Sequence, residues 1–352
     1  MRSASAKRQG LKESDIDEAL ANYESSPRFD EAARLALRYS EWMALDPERI
    51  DAGFYERLRR HYSDEEIVEL GAFIGFNVGY HTFFGSLKFY PMFAPDGRLV
   101  SQEESARIYG DVPVSLQSPG SSSAETSETV AARTGASPNT PDGPCSASLS
   151  PDTALPGASP HRLPRASRDQ PSVNERPIKP LRLDEIGDEE LKALIVRCTA
   201  LGVPDENFPG ILARVPNHAK ALLQALLHSH TEGNVDHRLK EIIRILLART
   251  AGDAYFAGLR SKRAAKEGLD EETIEAGCGA VDADPRFDDA EKWALRYAHT
   301  LYRTPEAVDA AFYAEGKRHY SEAQIMELGA FIAFHYGMQV FMRSNSDAFR
   351  ST

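Results

Sequence analysis

Six side chains have types and spacings that could build a small-molecule site with acid–base chemistry, Glu241 and His335 as its acid–base groups and Asp253, Tyr255, Phe256 and Arg260 to bind the substrate. Glu241 and Arg260 stand about equally far from a central Gly252–Asp253 turn. Facing helices would bring them together as an ion pair. Glu241 would serve there as a base and Arg260 would hold a substrate carboxylate through two parallel N–H bonds. Arg260 itself exchanges no proton, because a guanidinium stays protonated. Tyr255, Phe256 and His335 would supply the walls and polar groups of the pocket. Each residue also has a structural reading: a buried Glu–Arg pair, an N-cap at Asp253, and core packing at Tyr255 and Phe256.

The stretch that must position these groups is EIIRILLARTAGDAYFAGLRSKRAAKEGL, residues 241–269. Ile242, Ile243, Ile245, Leu246 and Leu247 make its first part nearly apolar all round, as for a helix in the middle of a bundle. Gly252 is a natural helix breaker and Asp253 a natural cap for a second helix. The expectation is an antiparallel helical hairpin.

Around it lies an internal repeat. Residues 1–86 recur at 259–344 with a constant offset of 258 and no gap, at roughly four identical positions in ten. PRFD at 27–30 returns at 285–288, RHYS at 60–63 at 318–321, and ELGAFI at 69–74 at 327–332. Both copies show helical apolar stripes, such as Trp293, Ala294, Tyr297, Ala298 and Leu301. Ser63 with Glu66, and Ser321 with Gln324, form capping boxes that open the last helix of each copy. Pro305 is placed to open a helix running toward Tyr320. No alternating strand pattern is present, so the expected class is all-α.

The expected organisation is a partial copy at 1–109, a Ser/Pro-rich disordered linker at 110–179 and a complete copy at 180–352. The complete copy gains helices near 188–202, 216–233 and 236–251. The first copy's match runs back to Met1 and Arg2, which places Met1 inside a helix. Either the true start lies upstream, or the half-copy packs on the other copy or on another subunit. Phe89, Tyr90 and Phe93 follow the first copy as an aromatic tail suited to docking.

Net charge is −12, which argues against nucleic acid or an anionic membrane as partner. Cys145, Cys198 and Cys278 are too few and too scattered for a disulfide framework or a zinc site. His228, His230 and His237 only loosely approach metal spacing and have no Cys beside them, so no metal or cofactor is expected. No uninterrupted apolar run approaches the ~20 residues that span a bilayer, and the N-terminus has no apolar signal core. A cytoplasmic protein is the default.

The helix order, the acidic residue early in the central helix, the short turn, the small-residue helix ending in EGL, and the later DEETIEA and DPRF…EKWALRYA segments resemble the carboxymuconolactone decarboxylase-like, or AhpD-like, superfamily. The resemblance spans about 215–344 in full and 1–86 in part. It implies a helical bundle that assembles as trimers or hexamers. Redox members of that family carry Glu, Cys-x-x-Cys and His around this hairpin. Here the Glu is Glu241, the two Cys positions are Asp253 and Phe256, and the His position is Arg260. A thiol peroxidase needs a nucleophilic thiolate and a resolving thiol, and this hairpin has neither. Two readings remain. One is a non-redox acid–base enzyme acting on a small acidic or carbonyl compound, with Glu241 in a solvent-open pocket within reach of Arg260. The other is a non-catalytic oligomeric scaffold or small-molecule binder.

Overall fold

The structure is a computed structural model and describes residues 8–87, 94, 98–110 and 177–345. Most of the segment read as a linker, 111–176, lies outside the described residues, as do Met1, Arg2, Phe89, Tyr90 and Phe93. The described chain is all-α: helices are joined by turns and short 3-10 segments, and no extended strand occurs among the described residues.

The repeat governs the architecture. The first copy contributes α1 (Glu13–Asn22), α2 (Glu31–Leu45), α3 (Ala52–Leu58) and α4 (Asp64–Ser86), followed by α5 (Gln102–Tyr109). The second begins with α6 (Glu189–Ala200), α7 (Asn207–Leu212), α8 (Pro216–Thr231) and α9 (His237–Ala251). It continues with α10 (Ala254–Gly258), α11 (Lys262–Lys266), α12 (Glu271–Gly277), α13 (Asp289–Leu301), α14 (Ala310–Gly316) and α15 (Glu322–Ser344). The caps recur in register: Asp30 and Asp288 open α2 and α13, Asp51 and Asp309 open α3 and α14, and Ser63 and Ser321 open α4 and α15. Each cap side chain accepts a backbone N–H of the first turn, which that turn cannot satisfy from within. Pro305 does not open a long helix. It starts a 3-10 turn, Pro305–Ala307, and Asp309 then caps α14 afresh.

α4 and α15 pack antiparallel as the spine of the fold. A Cβ on Gly71 would meet the Phe341 ring, one on Gly75 the Gly337 carbonyl, one on Gly79 the Ala333 carbonyl, and one on Gly329 the Phe83 ring. Small residues are required because the two backbones touch. The repeat exchanges these contacts with one another, so the copies are related by an internal pseudo-two-fold axis. The tyrosines obey it too. Tyr39 Oη lies 3.1 Å from both Tyr55 Oη and Ser344 Oγ. In the other copy Tyr297 Oη is 3.0 Å from Tyr313 Oη, which is 2.7 Å from Ser86 Oγ. Each copy's tyrosine pair thus holds the end of the other copy's long helix. The first copy has no separate interior: Leu35, Tyr39 and Ile67 share one apolar cluster with Phe208, Phe256 and Phe341. Both copies belong to one compact unit.

α15 is, by length and composition, apolar enough to cross a membrane, although the sequence shows no unbroken apolar run. In the fold 78% of its apolar window is buried, as for the core helix of a bundle.

Candidate functional site

α9 carries the polar heart of the molecule. Asp236 caps it through the Leu239 N–H, and Gly252 ends it in the left-handed region at φ 69°. The second arm of the expected hairpin is not one helix. α10 ends at Gly258, Leu259 is extended, and Ser261 caps a separate short helix, α11, through the Ala264 N–H. That break decides which groups meet Glu241.

Glu241 is 1% exposed, and both of its carboxylate oxygens accept hydrogen bonds from its own chain. Arg244, three residues on, donates from Nε to Oε2 and from Nη2 to Oε1, both at 2.8 Å. The Ser261 N–H donates to Oε1 at 2.8 Å. His230 Nε2 lies 3.1 Å from Oε2, off the line of a good hydrogen bond. Burial alone raises the Glu241 pKa; the Arg244 charge and hydrogen bonds, with His230, outweigh it and hold the carboxyl far below the usual range. Arg244 also donates to the Phe256 carbonyl at 2.6 Å and the Leu259 carbonyl at 2.7 Å, closing the end of α10.

The expected Glu241–Arg260 pair does not form. Arg260 grips Glu271 at 2.7 and 3.0 Å and the Ala257 carbonyl at 2.6 Å, at the half-exposed edge of the fold. The physical reason is the break at Leu259: with α10 ended, Arg260 has left the face that looks at α9. Arg244 already stands one helical turn from Glu241. The solvent-open pocket at Glu241 is likewise replaced by a closed setting.

The remaining candidates are placed as follows. Asp253 is the N-cap of α10, accepting from the Tyr255 N–H at 3.1 Å and the Phe256 N–H at 3.4 Å. It is 1% exposed, and burial pushes its pKa up to about 7 against those two bonds. Tyr255 Oη donates to Asp205 at 2.6 Å and accepts the Phe208 N–H at 3.3 Å, so it ties α10 to the start of α7. Phe256 is core, packed edge-on against Phe208 at 5.1 Å. His335, on α15, is buried between Phe331 at 4.2 Å and His230 at 5.8 Å. Burial holds its pKa well below the ordinary value, and its Nε2 has no hydrogen-bond partner among the described residues.

Several groups join this core without having been singled out from the sequence as its members. His230 and His237 lie ring to ring at 4.5 Å. His237 Nδ1 is 2.8 Å from the His230 carbonyl, and Nε2 is 2.8 Å from Ser261 Oγ. A carbonyl only accepts, so Nδ1 carries a proton, and Nε2 faces the serine hydroxyl. Burial pushes His230 down to about 4, with Glu241 pulling the other way. Lys240 is fully buried and bonds the Glu232 carbonyl and Glu327 Oε1, each at 2.6 Å. Gln339 donates to the Arg244 carbonyl at 2.9 Å. The signal for Arg244 is the E-x-x-R spacing, which puts both groups on one helix face. His228 points outward, paired with Glu232 at 2.7 Å, so the three histidines do not converge. Among the described residues no group of three His, Cys, Asp or Glu has the geometry to hold a metal. Burial raises the thiols of Cys198 and Cys278 to about 11 each, and neither lies on α9 or α10. Cys145 is outside the described residues.

No family model matches the chain. An uncharacterized protein of Escherichia coli K12, YnjA, is 37% identical over 57 residues, which cover 16% of this chain and 31% of YnjA, under a third of its length. Crystal structures of the debrominase Bmp8, one apo and one of a cysteine-to-alanine variant with 2,3,4-tribromopyrrole, superpose with TM-score 0.42 at 20% identity, over 50% of this chain and 90% of theirs.

Proposed function

We propose that this chain is a carboxymuconolactone decarboxylase-like protein that has kept the polar core around Glu241, lacks thiol chemistry in its complete copy, and acts as a binding scaffold. One observation carries this reading: Glu241 is buried, and both of its carboxylate oxygens already accept hydrogen bonds, from Arg244 and the Ser261 N–H. A general base needs access to its substrate and a pKa near the working pH; Glu241 is buried against Arg244, and its pKa is held far below the usual range. The positions that hold thiols in redox relatives carry a cap, Asp253, and a core ring, Phe256. The two described thiols are pushed upward, away from the thiolate form that attacks a peroxide.

The acid–base reading keeps one observation in its favour. Both ring nitrogens of His230 and Nε2 of His335 are buried without hydrogen-bond partners among the described residues, a costly state that functional sites tolerate. The test is turnover by the purified full chain of an alkyl hydroperoxide with a dithiol reductant, before and after alkylation with iodoacetamide. The expected result is no turnover above the reagent blank. Turnover that alkylation abolishes would refute the scaffold reading. Turnover of a small carbonyl acid that survives alkylation and falls in Glu241→Gln would install the acid–base reading instead.

A further inference from the structure

The internal two-fold places one pattern of side chains on two helices, and among the described residues α8 and α9 cover the α15 version alone. On α15 the pattern is Glu327, Phe331, Phe334, His335, Gln339 and Met342; the repeat carries it onto Glu69, Phe73, Phe76, Asn77, His81 and Phe84 of α4. α8 and α9 cover the α15 version. Phe331, Phe334 and Met342 are 1%, 3% and 1% exposed, Gln339 bonds the Arg244 carbonyl, and Glu327 receives Lys240 at 2.6 Å. The α4 version faces outward: Phe73, Phe76 and Phe84 are 65%, 38% and 40% exposed. These residues recur at helical spacing, so they form one apolar stripe. A stripe of three phenylalanines on one helix is the kind of contiguous apolar surface that marks an interaction site.

We propose that the outward face of α4, from Glu69 to Phe84, docks an amphipathic helix of another polypeptide. The partner helix carries aliphatic residues on one face and a lysine or arginine placed to meet Glu69. The covered half of the molecule supplies the chemistry. α9 seats on the equivalent face of α15 with Ile242, Leu246 and their neighbours buried, and its Lys240 meets Glu327, the repeat partner of Glu69. Glu69 is 57% exposed and has only His218, at 3.9 Å, near it among the described residues. The charge complement that α9 gives Glu327 is therefore still to be met at Glu69. His81 and Asn77 stand where Gln339 and His335 meet α9, and they offer polar contacts in the middle of the same stripe.

The probe is a labelled synthetic peptide of residues 234–252, α9 with its cap, titrated with the full chain and followed by fluorescence anisotropy. Saturable one-to-one binding is expected. Glu69→Lys should weaken it about tenfold or more and Phe73→Asp should abolish it, while a peptide carrying Lys240→Glu regains affinity for the Glu69→Lys chain. Both chain substitutions are at exposed positions, and unchanged far-ultraviolet circular dichroism verifies that each variant is folded. Absence of saturable binding, or binding indifferent to both substitutions, overturns the proposal. So does self-association of the free chain that Phe73→Asp converts to monomer, because the occupant would then be a second copy.

Discussion

Replacing Glu241 with leucine leaves the Arg244 guanidinium buried, with two of its hydrogen bonds gone. The Ser261 N–H loses its acceptor as well. Each charge-assisted bond contributes ~1.5–3 kcal/mol, and removing one member of a buried ion pair costs ~3–5 kcal/mol because the other charge is stranded. A loss of about 4 kcal/mol is therefore expected. Arg244→Met should cost a similar amount, since it strands the Glu241 carboxylate and frees the Phe256 and Leu259 carbonyls. The double variant Glu241→Leu/Arg244→Met removes both charges together and should cost less than the two single losses combined, with a coupling of about 2–3 kcal/mol. Urea unfolding followed by circular dichroism at constant pH reads all four proteins, provided the m-value is unchanged. Single losses under ~1 kcal/mol, or strict additivity in the double variant, would refute the view that this pair is a closed structural unit.

Three further outcomes follow from the same structure. Asp253 has a folded pKa of about 7, above its ordinary 3.8, so it holds more protons in the folded state, and its contribution to stability falls as pH rises from about 4 to about 7. His230, lowered to about 4 from 6.5, acts in the opposite sense over about pH 4 to 6.5, and Asp253→Asn should therefore make stability rise more steeply with pH across that window in thermal melts. Gly79→Val would drive a side chain into the Ala333 carbonyl, so α4 and α15 should separate, with loss of cooperative unfolding in calorimetry. With their thiols raised to about 11, Cys198 and Cys278 should react with a disulfide reagent at pH 8 far more slowly in the folded chain than in urea.

Much of the fold is legible in the residues. The offset of 258 carries over to α2, α3, α4 and their counterparts, down to the capping aspartates and serines. The Gly252 breaker and the Asp253 cap stand where their chemistry places them. The site is less legible because it depends on where a helix stops. Reading residues 253–269 as one helix makes Arg260 the natural partner of Glu241. The stop at Gly258 removes Arg260, and the Ser261 backbone takes that place at the carboxylate. Arg244 escapes notice for a different reason. In a helix read as apolar nearly all round, Arg244 passes for a surface residue until the carboxylate one turn earlier is read with it. The gathering of His230, His237 and His335 is tertiary, since it joins α8, α9 and α15. The antiparallel meeting of α4 and α15 follows from the repeat only once the glycines at 75, 79 and 337 are read as backbone contacts.

Glu241, held ionised by Arg244, is the pivot of the core. The most direct measurement is the carboxyl carbon shift of Glu241, from selectively labelled full chain, titrated from pH 8 to pH 4. A flat response is expected while the protein stays folded, and no change on adding small carboxylic or carbonyl compounds. A titration midpoint near neutral pH, or a shift on adding such a compound, would contradict it and would make Glu241 a working base.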